Sequence, residues 1–199
     1  MKKKSSDKTA PPIHFNRFVA IDFETADYGR DSACAVALVV AEKGNIIREF
    51  YSFIRPPRNS FQFTWLHGIS WSDVADQPDF GELWPEIAPL FVGVDFIAAH
   101  NASFDRGVLA ACCERCHQSP VLDKYLCTMR LARRLWDIRP TKLSDVCGAF
   151  DIPLQHHHAG SDALACAKIV LRAWHSGVPE SAFLKPPGTA NRLTGTFPF

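Results

Sequence analysis

Apolar positions fall into short runs separated by polar and Gly- or Pro-containing breaks, the pattern of strands and helices packed into one domain. The first run, Phe18 to Thr25 (F-V-A-I-D-F-E-T), is rich in β-branched and aromatic residues and predicts a buried strand. Ala33 to Ala41 predicts a second strand, Glu42-Lys43-Gly44-Asn45 a turn, and Ile46 to Ile54 a third, so these three form an antiparallel meander. Pro56 to Phe63 reads as a loop. Asp79-Phe80-Gly81-Glu82 resembles a capping box that opens a helix with Leu83, Trp84, Ile87, Leu90 and Phe91 on its apolar side, which Pro85 and Pro89 should kink or shorten. Further along, Asp95 to Ala99 and Tyr125 to Thr128 predict short strands. Helices are expected over Ser103 to His117, near Met129 to Trp136, near Leu143 to Phe150 and near Ser161 to Trp174. Five strands with helices alternating after the meander give an α/β fold: a mixed sheet with helices on both faces.

Two residues interrupt the first run chemically. Side chains alternate faces along a strand, so Asp22 and Glu24 project from one face while Ile21 and Phe23 project from the other. Two crowded carboxylates are costly unless a shared proton or a cation compensates, and hard divalent cations with oxygen ligands are the usual solution. A strand end carrying two solvated acids is the plainer alternative. Further candidates follow downstream. A-A-H-N-A-S-F-D runs off a strand end and places Asp105 in a first helical turn, where the helix dipole favours an acid; Asn101 and Ser103 also suit caps or turns. H-H-H-A-G-S-D-A opens the last long helix, with Asp162 in its first turn and His156, His157 and His158 just upstream. A histidine near several acids suits general-base work near neutral pH.

Composition sets the frame. The 199 residues are enough for one domain with an ordinary core, and 47% apolar content argues against disorder. A formal net charge of +1 predicts no bulk attraction to polyanions, so any nucleic-acid binding must come from local patches. Residues 1–14 read as a mobile leader, 15–176 as the domain, and 177–199 as a Pro-rich extension whose tip, Phe197-Pro198-Phe199, is expected to pack back on the domain. No apolar run reaches the ~18 residues of a membrane span and no signal core follows Met1, which reads as cytoplasmic with no membrane partner. Seven irregularly spaced cysteines predict reduced thiols. Cys112, Cys113, Cys116 and His117 share one helix but lack the paired spacing of a zinc site, so buried packing is the expectation.

Taken together, D-F-E-T, H-N-A-S-F-D and H-x-A-x-x-D-A occur in the order and at the separations of the three motifs of the DEDDh (DnaQ-like) 3′-5′ exonucleases, and the chain from Phe18 to Trp174 resembles that family. Thr64 to Ile69 (T-x-x-H-G-I) also resembles a substrate-side loop of its polymerase-associated members. The resemblance implies a ribonuclease-H-like fold and the release of nucleoside 5′-monophosphates from a 3′ end. It implies Asp22, Glu24, Asp105 and Asp162 as acids holding two divalent cations, Mg²⁺ or Mn²⁺, with Asp22 bridging them. The motif spacing selects His157 as the general base, leaving His158 as a lesser candidate and His156 as a solvated or phosphate-contacting neighbour.

Substrate contacts are expected around Phe23, Thr25 and Asn101. Phe104 either stacks on a base or belongs to the core, and His67 either touches the terminal nucleotide or holds its loop. Arg106, Arg130, Arg133, Arg134 and Lys142 are candidates for a phosphate track. The favoured substrate is DNA with a single-stranded or frayed end, in proofreading or repair and with a DNA polymerase as a candidate partner. RNA trimming is the alternative, and a non-catalytic binding subunit a lesser one, since no acid is missing. No pattern selects an oligomeric state.

Overall fold

The computed structural model describes residues 15–119 and 122–177. The expected leader, the extension beyond residue 177 and the Phe197-Pro198-Phe199 tip lie outside the described residues. Strands β1 (Arg17–Thr25), β2 (Ala33–Glu42), β3 (Asn45–Phe53), β4 (Phe96–Ala99) and β5 (Tyr125–Cys127) form one sheet in the order β3-β2-β1-β4-β5. β1, β2 and β3 pair antiparallel, whereas β4 joins β1, and β5 joins β4, in parallel. This is the expected mixed α/β sheet with helices on both faces.

The alternation in β1 divides the core. Phe18 and Ala20 point toward α5 (Thr128–Trp136), α6 (Leu143–Ala149) and α7 (Ala159–His175), while Val19, Ile21 and Phe23 point toward α3 (Phe80–Ile87) and α4 (Ser103–Arg115). α3 opens with the predicted capping box: the Glu82 N–H donates to Asp79 Oδ1 at 2.9 Å and the Asp79 N–H to Glu82 Oε2 at 2.8 Å. Pro85 is accommodated, but α3 ends at Ile87 and a 3₁₀ turn, Ala88–Phe91, takes over where Pro89 cannot donate its backbone hydrogen bond.

Three features were not anticipated. Two one-turn helices, α1 (Thr64–His67) and α2 (Trp71–Val74), follow the Pro56–Phe63 loop, and α7 starts two residues earlier than its periodicity suggests. Turns of four residues are too short to leave a periodic signal. Cys112 and Cys113 lie in the core against α3 and the sheet, where burial pushes each thiol up to about 12; all seven cysteines are free. Among the described residues, no helix is long and apolar enough to cross a membrane.

The β2–β3 hairpin ties the sheet to the far end of α7. Lys43 and Gly44 both have positive φ (49° and 81°), as a two-residue type I′ turn requires, and a Cβ added at Gly44 would lie 2.8 Å from Trp174 Nε1. Gly44→Ala should therefore cost about 2 kcal/mol and lower the thermal midpoint by roughly 4–8 °C, measured by calorimetry. An unchanged midpoint would contradict this account of the turn.

Candidate active site

The site forms where β1 ends against the start of α7. Asp22 and Glu24 face α7, and their register partners on β2 are Ala37 and Ala35. The helix meets this face with small side chains too: Ala159, Ala163, Ala165, Ala167 and Ala173 are all buried. Small residues on both surfaces let helix and sheet approach closely, and Asp162, in the first turn of α7, lands beside the two strand carboxylates. Asp22, Glu24 and Asp162 each offer an oxygen, and these atoms lie within 4.8 Å of one another.

Asp105 arrives from the opposite layer. After β4 the chain turns through Asn101 at φ 64°, and α4 begins with Asp105 in its first turn, 2% exposed. Asp105 Oδ1 accepts the Phe23 N–H at 3.2 Å, so the backbone between Asp22 and Glu24 orients the fourth acid. A cleft of about 430 Å³ collects all four acids, and each of the ten residues expected at the site lines it: Phe23, Thr25, His67, Asn101, Phe104 and His157 besides the acids.

Like charges in a confined, partly desolvated space resist ionisation. Burial pushes Asp22 well above the ordinary carboxylate range, and Asp105, Asp162 and Glu24 push it further. Burial and then Asp162 raise Glu24 to about 7, and burial raises Asp105 to about 7 against the pull of the Phe23 N–H. Asp162 also rises through burial, opposed by His156 and by the His157 N–H. Its Oδ1 is buried and, among the described residues, has no hydrogen-bond partner. An all-oxygen cluster with an unpaired buried carboxylate oxygen fits hard divalent cations such as Mg²⁺ or Mn²⁺, with Asp22, Glu24 and Asp162 as the converging donors and Asp105 beside them.

The three histidines separate. His157 adopts a left-handed backbone (φ 65°), its N–H donates to Asp162 Oδ2 at 3.2 Å, and its ring stacks on that of His156 with centroids 3.8 Å apart. Burial, and then His156, lower the His157 imidazole, against Asp162, so the ring is neutral at neutral pH. His156, expected as a solvated or phosphate-contacting neighbour, is exposed and also donates from Nδ1 to Asp162 Oδ2 at 3.2 Å. His158 turns away: its Nδ1 accepts the Ser161 N–H at the start of α7 and its ring stacks on Tyr51.

The substrate-side candidates also sort themselves. Phe23 is 3% exposed and its ring belongs to the core, leaving its main chain at the cleft. Phe104 is 37% exposed, which removes the core alternative, and its ring carries the Arg30 guanidinium at 5.9 Å. His67 holds its loop: Nδ1 accepts the Ile69 N–H at 3.0 Å and Nε2–H donates to the Thr25 carbonyl at 3.1 Å, which defines a neutral ring that burial favours. Thr25 is thereby tied to α1. The Asn101 side chain accepts the Ser103 hydroxyl at 3.2 Å. Of the basic residues proposed as a phosphate track, Lys142 lines the cleft, Arg106 pairs with Asp123 at 2.7 Å, and Arg133 donates to the Thr141 hydroxyl at 2.9 Å.

Several residues with a part in the site escaped the sequence reading. His100 bridges the end of β4 to the segment before α6, with Nε2–H donating to the Thr141 carbonyl and Nδ1 paired with the Thr128 hydroxyl, both at 2.9 Å. Arg58 forks onto Asp27 (2.6 and 2.7 Å) and Asp31 (2.9 and 3.1 Å), clamping the loop that leaves β1. That loop presents Tyr28, 80% exposed, edge-on to the cleft-lining Phe63. Separations of 27 and 31 residues leave no local signal for such pairs.

A family model described as "Exonuclease" matches residues 19–170. The chain is 32% identical over 163 residues to the PolC-type DNA polymerase III of Clostridium perfringens, covering 78% of this chain but only 11% of that protein. It is 36% identical over 118 residues to exodeoxyribonuclease 10 of Escherichia coli, covering 58% of this chain and 47% of the relative. Among solved structures, exonuclease X in complex with 5′ overhanging duplex DNA superposes with TM-score 0.66 at 27% identity, covering 84% of this chain and 97% of that one. The nuclease domain of 3′hExo bound to rAMP, a DEDDh family member, superposes with TM-score 0.70 over 84% of this chain and 96% of that one; at 16% identity it attests the fold alone.

Glu24 and Asp105 near 7, against about 4 in an unfolded chain, mean that the folded protein holds more protons between those values. Stability then falls as pH rises from about 4 through 7, and the cost is fully present above. In the absence of divalent cations the thermal midpoint should drop by several degrees between pH 5 and pH 8, Mg²⁺ should restore it at pH 8, and Asp105→Asn should raise it at pH 8 while flattening the pH dependence. A midpoint that rises with pH in cation-free buffer would contradict this electrostatic picture.

Proposed function

Because this chain belongs to the exonuclease family, in its DEDDh branch, we propose that it removes nucleoside 5′-monophosphates from the 3′ ends of DNA in a reaction supported by two divalent cations. The observation that carries the reading is the convergence of Asp22, Glu24, Asp105, Asp162 and His157 on one cleft, drawn from both faces of the sheet. When bound, the cations supply charge neutralisation at the scissile phosphodiester and acidify the attacking water. Asp22, Glu24 and Asp162 would hold them, with Asp105 fixed by the Phe23 N–H completing the set.

His157 takes the proton of the attacking water. Its ring is neutral near pH 7, lines the cleft and makes no hydrogen bond to the described residues, so a nitrogen lone pair is free to accept. His156 is a poorer candidate, since its Nδ1 is committed to Asp162. Phe104 and Tyr28 offer exposed rings on which bases can stack, and acids buried at the floor of the cleft favour a single-stranded or frayed end that can reach them over an intact duplex. The similarity to polymerase III and exodeoxyribonuclease 10 proteins favours DNA over RNA, with work in proofreading or repair and a polymerase as the candidate partner. The chain spans about a tenth of those polymerases, so the partnership rests on the shared domain only.

Matched 5′-labelled DNA and RNA strands, single-stranded and 3′-recessed, incubated with Mg²⁺, Mn²⁺ or EDTA, test the reading. We expect cation-dependent shortening from the 3′ end, faster on single-stranded DNA, abolished by Asp22→Ala and slowed about 10²- to 10⁴-fold by His157→Ala. Preferential degradation of RNA would move the substrate assignment to exoribonuclease. Intact strands in every lane, with folded protein binding them, would replace the enzyme by a binding subunit.

A further inference from the structure

We propose that Tyr51 on β3, through its stack on His158, is a positioning residue that holds His157 in the cleft; the inference rests on the nuclease reading above. Tyr51 lies on the same face as the catalytic acids, because Asp22 pairs with Ala37 and Ala37 pairs with Tyr51 in one row across β1, β2 and β3. The row is carboxylate, methyl, phenol. Ala37 leaves the space between them open, and a groove lined by Ala37, Tyr51, His158 and Gly160 runs there beside α7.

Three consecutive histidines are sent to two places by one unusual backbone angle. The left-handed conformation at His157 lets the rings of His156 and His157 stack in the cleft while His158 departs to the outer strand. A non-glycine residue holds that conformation only when its surroundings over-determine it. On the upstream side the hold comes from Asp162, which takes the His156 Nδ1–H and the His157 N–H. On the downstream side it comes from His158, whose ring lies nearly parallel to Tyr51 (12°, centroids 5.2 Å apart) while Nδ1 accepts the Ser161 N–H. Tyr51 is itself braced edge-on by Phe53 at 5.5 Å.

Gly160 shows how closely this pair is packed. A Cβ there would lie 3.1 Å from His158 Cε1, 3.3 Å from His158 Nδ1 and 3.6 Å from Tyr51 Cδ2, so a side chain at 160 would press on the His158 ring by a few tenths of an ångström. Tyr51, His158 and Gly160 therefore form a wedge that fixes the chain immediately after His157, and none of them lines the catalytic cleft. Removing the wedge should leave acids and substrate contacts in place and let the His157 ring wander, which costs turnover rather than affinity.

The test is a set of variants assayed on a single-stranded DNA oligonucleotide with Mg²⁺. Tyr51→Ala and Gly160→Ala should each lower kcat about tenfold or more with KM within about twofold, and Tyr51→Phe, which keeps the stacking ring, should stay within about twofold of the parent. In a His157→Ala background, under single-turnover conditions, Tyr51→Ala should have no further effect, since the residue it positions is gone. An equal loss in both backgrounds, or parent-like turnover in Tyr51→Ala, would overturn the proposal. Amide hydrogen exchange gives a readout independent of turnover: Tyr51→Ala should accelerate exchange at the His157 N–H and leave Ile169, in the buried middle of α7, unchanged. Unchanged exchange at His157 would also overturn it, whereas a parent protein that cleaves no substrate would sink the nuclease reading and leave this exchange result to judge the wedge.

Discussion

Four carboxylates brought to one cleft are the constraint on which the rest of the structure depends. Apart, each acid would titrate near 4; together, burial and mutual repulsion carry Glu24 and Asp105 to about 7 and Asp22 upward, and burial carries Asp162 upward as well. The fold meets this cost with devices set close to the site. Alternation in β1 puts Asp22 and Glu24 on one face, and the backbone N–H of Phe23 between them donates to Asp105. Alanine-lined surfaces on β2 and α7 bring Asp162 within reach. Divalent cations bound there would offset this cost, and the destabilisation without them is the physical reason to expect cations at all.

Rigidity around this cluster comes from polar ties that bridge distant segments. Arg58 clamps Asp27 and Asp31 in the loop leaving β1, His67 joins α1 to the Thr25 carbonyl, and His100 joins the end of β4 to Thr128 and Thr141. Each acts within a few residues of an acid or a candidate substrate contact. The proposed chemistry, which needs a proton acceptor and four acids closely placed, would gain from such supports, because small misplacements are expensive in rate. His157, in a left-handed conformation with its N–H tied to Asp162, is the clearest case.

Much of this was legible in the amino-acid order because the signals are local. Period-two alternation told that Asp22 and Glu24 share a face, and Asp79 and Glu82 announced α3, whereas His157 was distinguished from its neighbours only by the resemblance to the DEDDh motifs. The structure stacks His158 on Tyr51 and sets both His156 and His157 at the cleft, with His156 Nδ1 bonded to Asp162. What stayed hidden depends on residues far apart in the chain. His67 could be a ligand contact or a loop tie until both its ring nitrogens were seen bonded to backbone, and Phe104 could be core or surface until its exposure was known. The bond from His156 to Asp162 went unforeseen because nothing in H-H-H tells which ring will reach that acid. The one-turn helices, the Arg58 clamp and the Tyr51 stack carry no periodicity at all.

The central claim, that the acid cluster is a cation site poised by its own repulsion, is tested most directly by calorimetric titration of Mg²⁺ or Mn²⁺ into cation-free protein at pH 7, in two buffers of different ionisation enthalpy. Carboxylates near 7 are partly protonated before binding, so cation uptake should release protons at pH 7 and almost none at pH 9, with both binding and release reduced in Asp105→Asn. Saturable binding with no proton release at pH 7, or no binding at all, would contradict the account.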